Sequence, residues 1–157
     1  MTQTRAKVLT VSDGVIAGTR DDLSGRALVE FLTTSGFDVC QHRVCADGIE
    51  VVAQTLQELA HDFIGIIVTT GGTGFAPRDV TPEATLSVIE RQAPGLAEAM
   101  RAVNPLGRLS RGVAGIIQNC VVINTPGSPA GCVEQLASII DVLPHAVALL
   151  NQIPTEH

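Results

Sequence analysis

The stretch that most restricts what this chain can become is Phe63-Ile-Gly-Ile-Ile-Val-Thr-Thr70, which ends abruptly in Gly71-Gly-Thr-Gly74. Nearly all of it is apolar or β-branched, as expected of a central parallel strand covered on both faces. The glycines that follow predict a sharp turn at the strand's carboxyl end.

The flanking sequence supplies the rest of such a sheet. Residues 6–11 read as a strand, and 24–35 place Ala27, Leu28, Phe31 and Leu32 on one helical face before Gly36 stops the helix. Residues 37–44 form a second strand. Asp47-Gly-Ile-Glu50 then has the form of an aspartate cap with an acid three positions on, leading into Ile49, Val52, Leu56 and Leu59 at helical spacing. Beyond the glycine turn, Thr81 as cap, Pro82 in the first turn and Glu83 predict a helix over 82–92. Pro94-Gly95 interrupts it, 96–103 is a further short helix, and 104–111 is a polar loop. Two apolar segments, 113–118 and 121–124, flank Asn119 as a short hairpin. Thr125-Pro-Gly-Ser-Pro129 then opens a helix carrying Val133, Leu136, Ile139, Ile140 and Leu143, which Pro144 kinks or restarts. The alternation defines one α/β domain over residues 1–157, a three-layer α/β/α sandwich with a mostly parallel central sheet.

Charge and composition narrow the chemistry. Sixteen acidic residues against ten basic ones give a net charge of −6, which removes the positive field that nucleic-acid binding relies on. Lys7 is the sole lysine, and neither a Walker-A loop nor a Schiff-base motif surrounds it. Cys40, Cys45, Cys120 and Cys132 form no C-x-x-C pair. With no secretory pattern at the N-terminus, they are expected to be reduced thiols acting as small hydrophobes in a cytoplasmic protein. No apolar run approaches the roughly 20 residues of a membrane-spanning helix. The four histidines, at 42, 61, 145 and 157, share no metal-ligand spacing and receive no role.

In open parallel sheets the ligand lies beyond the carboxyl ends of the strands. The residues placed there are Ser12-Asp13-Gly14, Asp47, Gly71 through Asp79, and Thr125-Pro-Gly-Ser128, the polar and glycine-rich parts of the chain. Together they can line one crevice with amides for anions and carboxylates for a metal ion. Each has a plainer reading. Gly71, Gly72, Thr73 and Gly74 could be only a tight turn, Asp47 a helix cap, Asp79 an acid favouring a helix N-terminus, and Asp13 a solvated turn residue. Ser110-Arg111-Gly112 and Ser128 are candidate phosphate or carboxyl contacts or ordinary loop polarity. The glycine run lacks the third glycine of a dinucleotide fingerprint, and Gly127-Ser128-Pro129 is not a nucleophile elbow.

Four blocks in order carry a specific resemblance: Thr10-Val-Ser-Asp13; Thr69-Thr-Gly-Gly-Thr-Gly74 with Pro77-Arg-Asp-Val-Thr-Pro-Glu-Ala-Thr85; Leu109-Ser-Arg-Gly-Val-Ala-Gly115; and Ile123-Asn-Thr-Pro-Gly-Ser-Pro129. With them the chain resembles the Mog/MoaB family of molybdenum-cofactor biosynthesis, which includes domains of gephyrin and its plant counterpart. The resemblance implies a homotrimer with molybdopterin adenylyltransferase activity, using ATP, molybdopterin and Mg²⁺. A non-catalytic carrier handing the pterin to a molybdenum-insertion enzyme is the alternative. By motif position, Asp47 and Asp79 match the family's functional aspartates and would be the catalytic and metal-holding pair. Ser12, Asp13 and Gly71 through Gly74 match its nucleotide- and pterin-contacting segments, while Ser110, Pro126, Gly127 and Ser128 match the far wall.

Overall fold

In the computed structural model, which describes residues 2–156, the run at 63–70 becomes strand β3, Gly65–Thr70, with every residue buried. It lies at the centre of a six-stranded sheet whose other members are β1 (Arg5–Val11), β2 (Asp38–Cys45), β4 (Arg91–Gln92), β5 (Ala114–Ile117) and β6 (Cys120–Thr125). The spatial order is β2-β1-β3-β6-β5-β4. The first four strands of that order run parallel, and the edge pair β5 and β4 runs antiparallel.

Strand alternation divides the core into two layers. Ala6, Val8, Ile66, Val68, Val121 and Ile123 face the side covered by helices α2 (Leu23–Thr34), α5 (Pro94–Ala102), α6 (Pro129–Ala137) and α7 (Leu143–Leu150). Leu9, Val11, Ile67, Cys120 and Val122 face the side covered by α3 (Ile49–Ala60) and α4 (Thr81–Val88). A four-residue helix, α1 (Asp13–Ile16), follows β1 directly. The three-layer arrangement expected from the sequence is therefore the one observed.

The lone lysine has a structural post. Lys7 Nζ donates to the carbonyl of Leu59 at 2.8 Å and sits 4.1 Å from the centroid of the Phe63 ring. There it satisfies a carbonyl near the end of α3 and stacks its charge on an aromatic face. Burial pushes the thiols of Cys45, Cys120 and Cys132 up to about 11, so they stay protonated and pack as small hydrophobes.

Three expectations need correction. The helix predicted over 82–92 ends at Val88, and Arg91 and Gln92 instead pair with Ile116 and Gly115 as an edge strand. The polar segment 104–111 contains a 3-10 helix, Pro105–Leu109, whose first turn is capped by Asn104 Oδ1 accepting from the amide of Leu106. Thr81 is not the cap of α4. It is the first helical residue, and its hydroxyl donates to the carbonyl of Gly71 at 3.0 Å.

Between β1 and β2 the chain moves outward on one side of β1, and β3 returns on the other. The carboxyl ends of β1 and β3 therefore flank the point where strand order reverses, the place where open α/β sheets leave a crevice.

Candidate active site

A cavity of about 650 Å³ opens at that point, a size typical of small-molecule sites. Ser12, Asp47, Gly71, Gly72, Thr73, Gly74, Asp79, Ser110, Pro126, Gly127 and Ser128 all line it. Turns after four different strands thus meet in one wall. Asp13 and Arg111, also singled out in the sequence, are absent from the lining, and Asp13 turns instead to Asp47 and Arg78.

The glycine turn is fixed by its neighbours. Gly71 and Gly72 have φ of +98° and +70°, a region that favours glycine, and a Cβ on either would collide with Val11 O or Thr81 Oγ1. The amide of Thr81 donates to Gly72 O at 3.0 Å. From the other side Arg111 holds the turn. Its backbone amide donates to Thr73 O, its Nε donates to Gly74 O at 2.8 Å, and Nη2 donates to Asp79 O at 2.5 Å. The same guanidinium forks onto Glu83 at 2.7 and 3.2 Å, which holds the Glu83 carboxyl below its usual range. Arg111 is thus a brace for the turn and not the phosphate fork its sequence position suggested.

Held this way, the amides of Gly72, Thr73 and Gly74 find no acceptor within the described protein, nor do those of Gly127 and Ser128. They are donors for an anion. Ser128 also caps α6, its hydroxyl accepting from Gly131 N at 3.0 Å, and Ser12 caps α1 by accepting from Val15 N at 3.2 Å.

Asp47 does not cap α3, contrary to the plainer sequence reading. The cap position falls to Gly48 with no side-chain bond, while Asp47 Oδ2 accepts from the amide of Asp13 at 2.9 Å. Asp79 Oδ2 accepts from Ala76 N at 2.9 Å and lies 2.9 Å from where a Cβ on Gly74 would stand. Each aspartate keeps its other oxygen, Oδ1, free of hydrogen bonds to the described protein.

Sequence reasoning passed over the far end of the cavity. Arg20, Asp21, Asp22, Asn104, Glu134 and Gln135 line it as well. Asp22 was findable, because Asp22-Leu-Ser-Gly25 is a cap signature and Asp22 Oδ1 accepts from Gly25 N at 2.9 Å. Its other oxygen accepts from Thr10 Oγ1 at 2.8 Å and lies 2.9 Å from His42 Nε2. His42, given no role from sequence, therefore ties the edge strand β2 to the cavity wall. Arg20 had no local signal, since it reaches the cavity only through the turn after α1.

Five carboxylates, from Asp21, Asp22, Asp47, Asp79 and Glu134, line the cavity, whereas Arg20 is the one cationic side chain among the lining residues. A polyanion bound here needs more positive charge than the side chains offer. Among the described residues no group of three or more His, Cys, Asp or Glu side chains is placed to hold a metal ion.

The fold and cavity together define a class: a three-layer α/β domain with a crevice at its strand-order switch, lined by carboxylates and unpaired loop amides. Comparison with known proteins makes the class specific. Residues 7–145 match the family profile described as "probable molybdopterin binding domain". The crystal structure of the molybdopterin biosynthesis enzyme MoaB from Thermus thermophilus superposes with a TM-score of 0.91 at 40% identity, covering 98% of this chain and 100% of that one. Molybdopterin adenylyltransferase of Escherichia coli is 37% identical over 149 residues, covering 90% of this chain and 76% of that protein. Gephyrin of Dictyostelium discoideum is 35% identical over 161 residues, 94% of this chain but only 22% of gephyrin. The chain belongs to the Mog/MoaB family of molybdopterin-binding proteins.

Proposed function

We propose that this protein is a molybdopterin adenylyltransferase, transferring AMP from ATP to molybdopterin with release of pyrophosphate. The observation that carries the reading is the meeting of Asp47, Asp79 and a row of unpaired loop amides in one cavity at the switch point. Relatives bearing that name, alike over most of both chains, support it.

In the transfer, an oxygen of the pterin's terminal phosphate attacks the α-phosphorus of ATP, the bond from that phosphorus to the bridging oxygen breaks, and pyrophosphate leaves. Such a step needs alignment and charge neutralisation more than a protein nucleophile. The amides of Gly72, Thr73, Gly74, Gly127 and Ser128 would hold phosphate oxygens, with Ser12 and Ser110 on the flanking walls. Asp47 and Asp79 would hold Mg²⁺, whose charge, when bound, offsets that of the phosphates.

Purified protein incubated with molybdopterin, ATP and Mg²⁺ should yield adenylylated pterin and pyrophosphate. Asp79→Asn should lower that rate by at least about 100-fold while pterin binding persists. Tight pterin binding by the wild type without either product would overturn the reading in favour of a carrier that passes the pterin to a molybdenum-insertion enzyme. A homotrimer in the cytoplasm completes the proposal, and a monomeric mass by light scattering would remove the trimer from it.

A further inference from the structure

Asp47 can serve the transfer only while its carboxylate stays turned into the cavity, and the structure shows what turns it. Oδ2 accepts from the amide of Asp13 at 2.9 Å, and the amide of Asp47 donates back to Asp13 Oδ1 at 3.1 Å. This reciprocal pair joins the turn after β1 to the turn after β2. The second oxygen of Asp13 accepts from Arg78 Nε at 2.6 Å, and Arg78 Nη2 donates to the carbonyl of Asp47 at 3.0 Å. Arg78 stands on the turn after β3, immediately before Asp79. One guanidinium thus links three strand-end turns and ties the backbone that carries one functional carboxylate to the backbone that carries the other. What is left free is Asp47 Oδ1, 3.4 Å from where a Cβ on Gly72 would stand.

Neither Asp13 nor Arg78 lines the cavity. The Arg78 side chain is 68% exposed, and ion pairs of that kind add little to stability. Its bonds are better explained by geometry. A planar fork can reach a carboxylate oxygen and a carbonyl at a fixed spacing, which a flexible ammonium cannot reproduce.

We propose that Arg78 and Asp13 are positioning residues that clasp Asp47 from outside the cavity and hold its free oxygen in register with Asp79. The proposal rests on the adenylyltransferase reading for its kinetic consequence, but the clasp can be observed without turnover.

The test is Arg78→Gln, Arg78→Lys, Asp13→Asn and the Arg78→Gln/Asp13→Asn double variant in the full chain. Amide hydrogen exchange at Asp13 and Asp47 should quicken by about tenfold in Arg78→Gln. The kcat should fall by about tenfold to a hundredfold, with KM for ATP within about twofold of wild type and the melting temperature unchanged. Arg78→Lys should remain close to Arg78→Gln, and the double variant should be no slower than the worse single one, because the residues act as a unit. Wild-type kcat in Arg78→Gln, full rescue by lysine, or additive losses would overturn the proposal. If the wild type itself makes no product, the functional reading fails, and exchange alone decides the clasp: unchanged protection in Arg78→Gln overturns it.

Discussion

The turn after β3 and the turn after β6 look alike in sequence, each setting glycine beside a hydroxyl residue, and they meet in the structure. A Cβ on Gly127 would stand 3.5 Å from the Cα of Gly71. They are built on opposite principles. Residues 71–74 owe their shape to partners far along the chain: Val11 and Thr81 leave no room beside the glycines, and Arg111 pins three carbonyls. Residues 126–128 lean less on distant partners: Thr70 Oγ1 donates to Pro126 O at 2.8 Å, but Gly127 does not have positive φ and Ser128 caps the helix that follows it. Equal-looking loops can thus differ in whether tertiary or local forces shape them, and substitutions should expose the difference.

Replacement of Gly71 by alanine should have the largest effect. Positive φ and the collision with Val11 O oppose it together, so unfolding by urea should show a loss of about 2–3 kcal/mol, and product formation should fall with it. A Gly71→Ala protein of wild-type stability would mean the turn is not held from outside. In the second turn, Ser128→Ala removes one cap bond and should cost about 1 kcal/mol. Gly127→Ala should cost less still; a loss as large as that of Gly71→Ala would erase the contrast.

The smallest effect concerns the buried thiols. Cys45, Cys120 and Cys132 titrate near 9.0 when unfolded and at about 11 when folded. Their burial therefore favours the folded state fully below pH 9, and that contribution fades as pH rises through about 11. Stability measured from pH 8 to 11 should decline accordingly. At pH 8 only the exposed Cys40 should react with a thiol reagent, and rapid labelling of Cys132 would show that the start of α6 is looser than its cap implies.

Much of this molecule was legible without coordinates. Periodicity placed β1, β2, β3 and the apolar faces of α2 and α3, because burial of one face repeats at fixed intervals along a chain, whereas the helix read through Leu143 ends as α6 at Ala137 and restarts as α7 at Leu143. The rule that ligands sit at carboxyl strand ends brought Asp47, Asp79, the glycine turn and Ser128 to the cavity lining, while Asp13 and Arg111 stayed outside it. What escaped was held by distant partners. Arg91 and Gln92 are a strand only because β5 offers them an edge, and a helix pattern was the stronger local signal. Arg111 looked like a cation awaiting a phosphate, and Arg78 was given no role of its own. In the folded chain their donors go to loop carbonyls and to carboxylates 28 and 65 residues away in sequence.

By itself the sequence determined the layered α/β architecture, the crevice's location and its family motifs, since these follow from side-chain periodicity and from residue types at fixed spacing. Only the tertiary structure decided which polar groups face the cavity. It released Asp47 from a capping role by offering it Asp13, and it made Thr81 and Arg111 supports of the glycine turn. It also assigned the lone lysine to a helix end. The physical reason is that a hydrogen-bonding group takes the partner that folding brings within about 3 Å, and a linear pattern does not show which of several partners that will be.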